Sequence, residues 1–153
     1  QIMNLIDSNS LIITDIGSGG GMPGIVISIL MKKLSNPPKV NLYEKSHHKS
    51  SFLRRVSRDL KLNTEVIQKN IFENKNLHSG TIMARAFKPL QIVIELVYKN
   101  FSSYRNLIVF MGRNGEKSLK ETLKYWDFEY EKTKSITGED SFLLNIKNIR
   151  KKN

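Results

Sequence analysis

Five glycines fall within eight positions, at 17, 19, 20, 21 and 24, just after the apolar run Leu11-Ile12-Ile13-Thr14 and the pair Asp15-Ile16. Such a run reads as a short buried strand, and clustered glycines read as a tight turn leaving it. Pro23 then suits a helix start, where its missing N–H has no partner to lose. Strand, glycine turn and helix make a cradle for a nucleotide or nucleoside. Glycine tolerates positive φ and close approach of a ligand to the backbone. The free N–H groups of a helix start can hold polar or anionic groups.

The spacing narrows the ligand. A dinucleotide fingerprint, G-x-G-x-x-G, counted from Gly17, wants its third glycine at position 22, which is Met22. A phosphate-binding P-loop is excluded because no Gly-Lys-Ser/Thr follows the glycines. The pattern is instead acid-x-G-x-G-x-G, built on Asp15, Gly17, Gly19 and Gly21. A carboxylate so close repels pyrophosphate and suits a cationic ligand. S-adenosylmethionine carries a sulfonium and an amino group and no phosphate, so the motif points to this methyl donor as cofactor.

The rest of the chain alternates strand and helix patterns. Strands are expected over 11–16, 40–43, 64–68, 81–84 and 107–111. Helices are expected over 23–34, from Ser46 to about 60 with Phe52, Leu53, Val56 and Leu60 on one face, over 89–100 and over 115–125. Residues 128–134 and 142–146 alternate apolar with polar and predict a closing antiparallel hairpin. This order implies an α/β fold, a mostly parallel sheet with helices on both faces. Ligands of such sheets bind at the carboxyl ends of the strands. Glu44 ends the second strand, where an acid commonly holds ribose hydroxyls. Asn70-Ile71-Phe72-Glu73 follows the third, where backbone groups and an apolar side chain would meet adenine. Arg85 ends the fourth. Its fork could bind the donor carboxylate or a phosphate beside the target base.

At 153 residues the chain is one domain's worth, spanning 1–153, and can bury a core without disulfides. It has no cysteine, as expected in a reducing cytoplasm. The longest apolar stretch, 25–31, is too short to cross a bilayer. His47, His48 and His78 lack metal-ligand spacing, so no metal and no membrane are expected. The formal charge of +11 predicts a polyanionic partner. Lys45, Lys49, Arg54, Arg55, Arg58 and Lys61 crowd 45–61 against one acid, Asp59, and the tail adds Lys147, Arg150, Lys151 and Lys152.

Taken together, the Asp-x-Gly-x-Gly-x-Gly-Met-Pro-Gly-Ile string, the acid ending the second strand, Lys49-x-x-Phe52-Leu53 and Ala84-Arg85-Ala86-Phe87 resemble the RsmG (GidB) methyltransferases. Gly138-Glu139 near the last strand fits as well, and the resemblance runs over about 7–149. It implies a Rossmann-like class I methyltransferase fold and a monomer that methylates N7 of a guanosine in the 530 loop of small-subunit ribosomal RNA. It also implies extra N-terminal helices, which this sequence, opening on Gln1, is expected to lack. Carried over by motif, Gly17 and Met22 line the donor pocket, Ile71 and Phe72 flank adenine, and Arg85 lies beside the methionine moiety and the target base. Three positions depart from the family pattern. Asn70-Ile71-Phe72 stands for Arg-x-Glu, with Glu73 one place late, and Ala84 stands for Ser. Met111-Gly112 stands for Lys-Gly, with Arg113 the candidate replacement. Lys49, Arg54, Arg55, Arg58 and Arg113 are the candidate RNA contacts. Two rival functions remain: a non-catalytic RNA-binding module with a relic donor loop, and a methyltransferase for another RNA or a protein.

Overall fold

The computed structural model describes residues 1–7, 9–136 and 138–153. Seven strands form one sheet in the order β3-β2-β1-β5-β7-β9-β8. The parallel part comprises β1 (Ile12–Ile16), β2 (Lys39–Tyr43), β3 (Thr64–Ile67), β5 (Thr81–Arg85) and β7 (Asn106–Met111). The expected hairpin is present as β8 (Trp126–Lys134) and β9 (Phe142–Lys151), with β9 running antiparallel to both β8 and β7. The chain winds outward from β1 to β3, then returns to lay β5 on the other side of β1. The crevice between β1 and β5 is therefore the topological switch point, where open α/β sheets bind ligands.

Alternate residues along the central strands feed two cores. Ile16, Ile82 and Leu107 join one, together with α3 (Leu90–Asn100) and α4 (Gly115–Thr122). Ile13, Met83 and Ile108 join the other, with α1 (Gly24–Met31) and α2 (His47–Asp59). Both faces of the central strands are thus covered, and β1 and β5 are almost wholly buried. Helix α1 ends at Met31, short of the expected 34, ahead of Asn36-Pro37-Pro38. Its Val26, Ile29 and Leu30 are exposed while Ile25 and Ile27 are buried.

Helix α2 corrects one expectation. Ser46 caps it as foreseen, its side chain accepting the Lys49 N–H. Its buried face is Ser50, Leu53 and Ser57, with Val56 half-buried, whereas Phe52 and Leu60 are exposed. The small serines bring the helix close to the sheet. Ser50 completes this by donating its hydroxyl to the Glu44 carbonyl at 2.9 Å. A hydrophobicity pattern cannot see a face made largely of serine. A second surprise is the parallel pair β4 (Leu77–His78) and β6 (Phe101–Ser103), too short to show as strands in sequence.

Leu53→Ala should cost about 2–5 kcal/mol by leaving a cavity beneath α2. Phe52→Ala should cost less than about 1 kcal/mol, because it loses only surface packing and a cation–π contact with Arg55. Urea unfolding of the two variants beside the parent checks the order.

Candidate active site

Four strands end around a cavity of about 520 Å³. The turn after β1 supplies Gly17 to Gly20 and Met22, and the turn after β2 supplies Glu44 and Lys45. The segment after β3 supplies Lys69 to Phe72, and the end of β5 supplies Arg85 to Lys88. Gly17, Gly19 and Gly21 all have positive φ, which lets so sharp a turn close.

Two buried carboxylates hold that turn. Glu44 accepts the Gly19 N–H at 2.9 Å through one oxygen and the Ser46 N–H at 2.8 Å through the other. It thereby ties the glycine turn to the start of α2. Asp15, 1% exposed, accepts the Gly24 N–H at 3.1 Å. It sits beneath the turn and does not line the cavity. A Cβ at Gly24 would lie 2.6 Å from its Oδ2, so only glycine fits there. Gly21 also turns inward, because a Cβ there would meet Ile25 and Leu53. Of the residues foreseen for the donor, Gly17, Gly19, Met22, Glu44, Ile71, Phe72 and Arg85 converge on the cavity, while Asp15 and Gly21 support it from behind.

The wall opposite the glycines is fixed by less visible means. Asn70 caps the 3₁₀ turn Ile71–Glu73 by accepting the Phe72 N–H. From below, the buried amide of Asn100 donates to the carbonyls of Ile71, Phe72 and Asn74 at 3.1, 3.1 and 2.6 Å. Phe87 stacks on Phe72, ring centroids 5.9 Å apart, and covers Gly17 so closely that a Cβ there would lie 2.3 Å from the ring. Ala86 makes the turn that brings Phe87 there. It sits at φ +48°, a conformation costing an alanine about 1 kcal/mol. Sequence reading missed Asn100 and gave Phe87 no role, although Phe87 lay inside a string it had singled out.

The foreseen RNA contacts divide. Lys49 lines the cavity. Arg54, Arg55 and Arg58 lie exposed along α2, where Arg54 bonds Gln68 and Arg58 pairs with Asp59 at 3.3 Å. Arg113 is away from the cavity and pairs with Asp140 at 3.6 Å. A second cavity, of about 640 Å³ and mostly apolar, adjoins the first. Met22, Arg85 and Ala86 are the walls they share. Among the described residues no group of acids and histidines could hold a metal, and no helix is long and apolar enough to cross a membrane.

Against known proteins, residues 1–144 match the family model GidB, rRNA small subunit methyltransferase G. The chain belongs to that family. It is 74% identical to the Ribosomal RNA small subunit methyltransferase G of Pelagibacter ubique over 153 residues, all of this chain and 72% of that one. Among solved structures, a SAM dependent methyltransferase from Aquifex aeolicus superposes with a TM-score of 0.65 at 12% identity, covering 88% of this chain and 80% of that one. MtNAS in complex with S-adenosylmethionine superposes at 0.66 and 15% identity, covering 88% and 53%. These two share the fold, the Rossmann-like class I methyltransferase architecture that the family resemblance implies.

Burial pushes the Asp15 carboxyl from its ordinary 3.8 up to about 6, although hydrogen bonds from Ser18 and Gly24 pull it back. Since the folded value lies above the unfolded one, the protonated acid favours folding. That contribution is complete below 3.8 and is lost as pH rises through about 6. Asp15→Asn keeps an acceptor for Gly24 without the charge. Its stability relative to the parent should therefore climb by about 3 kcal/mol between acid and neutral pH. Unfolding free energies across that range check it, and a pH-independent difference would refute it.

Proposed function

We propose that this chain transfers a methyl group from S-adenosylmethionine to N7 of a guanosine in the 530 loop of small-subunit ribosomal RNA. Its membership of the small-subunit rRNA methyltransferase family makes it a donor-dependent rRNA methyltransferase. The loop and the ring nitrogen are the finer part of the reading, as are its action as one domain and its place in the cytoplasm. The observation that carries the reading is the glycine turn at the β1–β5 switch point with Glu44 clamped to its Gly19 N–H.

The residues present fit the donor. A Cβ at Gly20 would meet nothing within 4 Å, and one at Gly19 only the Gly17 carbonyl at 3.8 Å, so the turn leaves a cradle open. Glu44 has lone pairs left beyond its two backbone bonds, enough for ribose hydroxyls. Ile71, Phe72 and Phe87 offer an apolar wall for adenine. Arg85, at the shared wall of the two cavities, is placed to bind the donor carboxylate or an RNA phosphate. When bound, the donor supplies an electrophilic methyl group. Guanine N7 has an in-plane lone pair and no proton to lose, so the chain needs no general base. Its work is to hold two reactants in line and to supply fixed polar groups around the moving charge.

Gly20→Val is the clean test of the donor site. Gly20 is not in the left-handed region, so valine fills the cradle without backbone strain. Calorimetry should show donor affinity lost with the melting temperature unchanged. Equal affinities in parent and variant would place the donor elsewhere.

Arg85→Lys keeps the charge and removes the fork. Single-turnover methyl transfer to small-subunit rRNA should fall at least tenfold, by the roughly 1.5–3 kcal/mol that a charge-assisted hydrogen bond contributes, with the fold preserved. Full activity in the folded variant would remove Arg85 from the mechanism. Donor binding without any transfer by the parent chain would favour an RNA-binding module.

A further inference from the structure

The residues that line the donor cavity carry more positive charge than the donor itself calls for. Lys45, Lys49, Lys69, Arg85 and Lys88 all line it, against one acid, Glu44. They come from separate segments: the ends of β2, β3 and β5, the first turn of α2 and the loop before α3. Among the described residues none of the five forms an ion pair. Elsewhere on the surface cations do find partners, as in Arg105–Asp7, Lys124–Glu121 and Arg150–Asp127. Glu73, which directly follows the Lys69 to Phe72 segment, accepts from Asn70 and stays out of the lining. The first turn of α2 holds Lys49 and no acid, although a helix start favours negative charge. So five cations without an ion-pair partner share one opening with a single acid.

S-adenosylmethionine carries an ammonium, a sulfonium and a carboxylate, for a net charge of about +1, whereas the demethylated thioether product is net neutral. The rim opposes the first and is indifferent to the second. A polyanion laid across it would reverse the balance. Building on the donor cavity assigned above, we propose that this rim seats the RNA backbone phosphates and that the seated RNA selectively raises affinity for the methyl donor over its product. The coupling is reciprocal, so the donor-loaded chain holds RNA more tightly by the same factor. Transfer then undoes it. The sulfur keeps its bonding electron pair and becomes neutral, while N7 gives its lone pair to the methyl carbon and the base becomes cationic. One positive charge thus moves from the cavity to the RNA, with no proton exchanged. The product RNA is one charge less attracted to the rim, and the neutral product no longer benefits from the phosphates.

Polyuridylate tests the electrostatic part alone, since it has phosphates and no guanine. Donor and product are titrated separately into the chain by calorimetry, with and without saturating polyuridylate. At low salt the polymer should shift the donor-to-product affinity ratio toward the donor by about three- to tenfold, and the shift should shrink as salt screens it. Without polymer, rising salt should move the ratio the same way. The combined variant Lys45→Gln, Lys69→Gln, Lys88→Gln should lose most of the shift and flatten the salt dependence of polymer binding by about two units of slope. Failure of polyuridylate to bind at low salt, an equal response of donor and product, or a full shift in the folded variant would each overturn the proposal. If the variant does not fold, the salt series on the parent chain decides, and a ratio indifferent to salt overturns it. Absence of any donor or product binding would instead bring down the donor cavity itself. Donor binding with an unmoved ratio leaves the cavity standing and removes only the coupling.

Discussion

The structure hangs on how the chain leaves β1. Between Ile16 and Gly24 it must turn sharply, start a helix and leave a space open, all with backbone N–H groups that need partners. Two carboxylates meet that need from different sides. Asp15 takes the Gly24 N–H from beneath, and Glu44 takes the Gly19 N–H from the neighbouring strand end. Because Glu44 also takes the Ser46 N–H, a single side chain sets the glycine turn, the end of β2 and the start of α2 relative to one another. The Ser18 N–H adds a bond to the Tyr43 carbonyl at 2.9 Å, so the turn is fastened to β2 twice. The cavity keeps its shape because its floor is hydrogen-bonded backbone, with few side-chain rotamers left to vary.

Much of this was legible in sequence, and for identifiable reasons. Glycines at alternate positions after a β-branched run can hardly serve a plain strand–helix connection. Glu44 and Arg85 stand at strand ends that hydrophobic patterning locates well. What stayed hidden was direction. Sequence placed Asp15 and Gly21 in the motif but could not show that Asp15 points beneath the turn or that Gly21 is needed against Ile25 and Leu53. The inner face of α2 was misjudged because serine carries no hydrophobic signal, although Ser50 is more buried there than Phe52. Asn100 was invisible for a different reason. Its value lies in reaching three carbonyls more than twenty-five residues away in sequence. Pairwise spacing within one helix gives no hint of such a partner.

The two walls of the cavity are built on opposite principles, and the difference bears on what each can do. The glycine side is backbone, satisfied internally and closed to side-chain adjustment. The far side is two aromatic rings, Phe72 and Phe87, stacked on each other over a strained Ala86 and a turn held from below. Phe72 remains exposed beside Phe87. The proposed donor would set its ribose and methionine portions, whose polar groups must be met at fixed positions, against the rigid wall. The softer wall suits an apolar ring system that gains by burial alone.

Among the described residues Asp15 is the one carboxyl pushed far from its ordinary value, and a strongly shifted acid in a cleft is often a catalytic one. Here geometry argues otherwise. Its carboxylate is sealed under the turn, bonded to a helix N–H, and does not reach the cavity. The proposed transfer to N7 has no proton to remove, so it would leave such an acid nothing to do. The shift is the cost of placing a carboxylate where the turn requires an acceptor, moderated by the helix start it faces. The charged groups that line the opening are five cations and one acid already committed to backbone. They can position an anion and respond to charge that moves. Charge and alignment are also what the proposed methyl transfer to an unprotonated ring nitrogen would demand of the site.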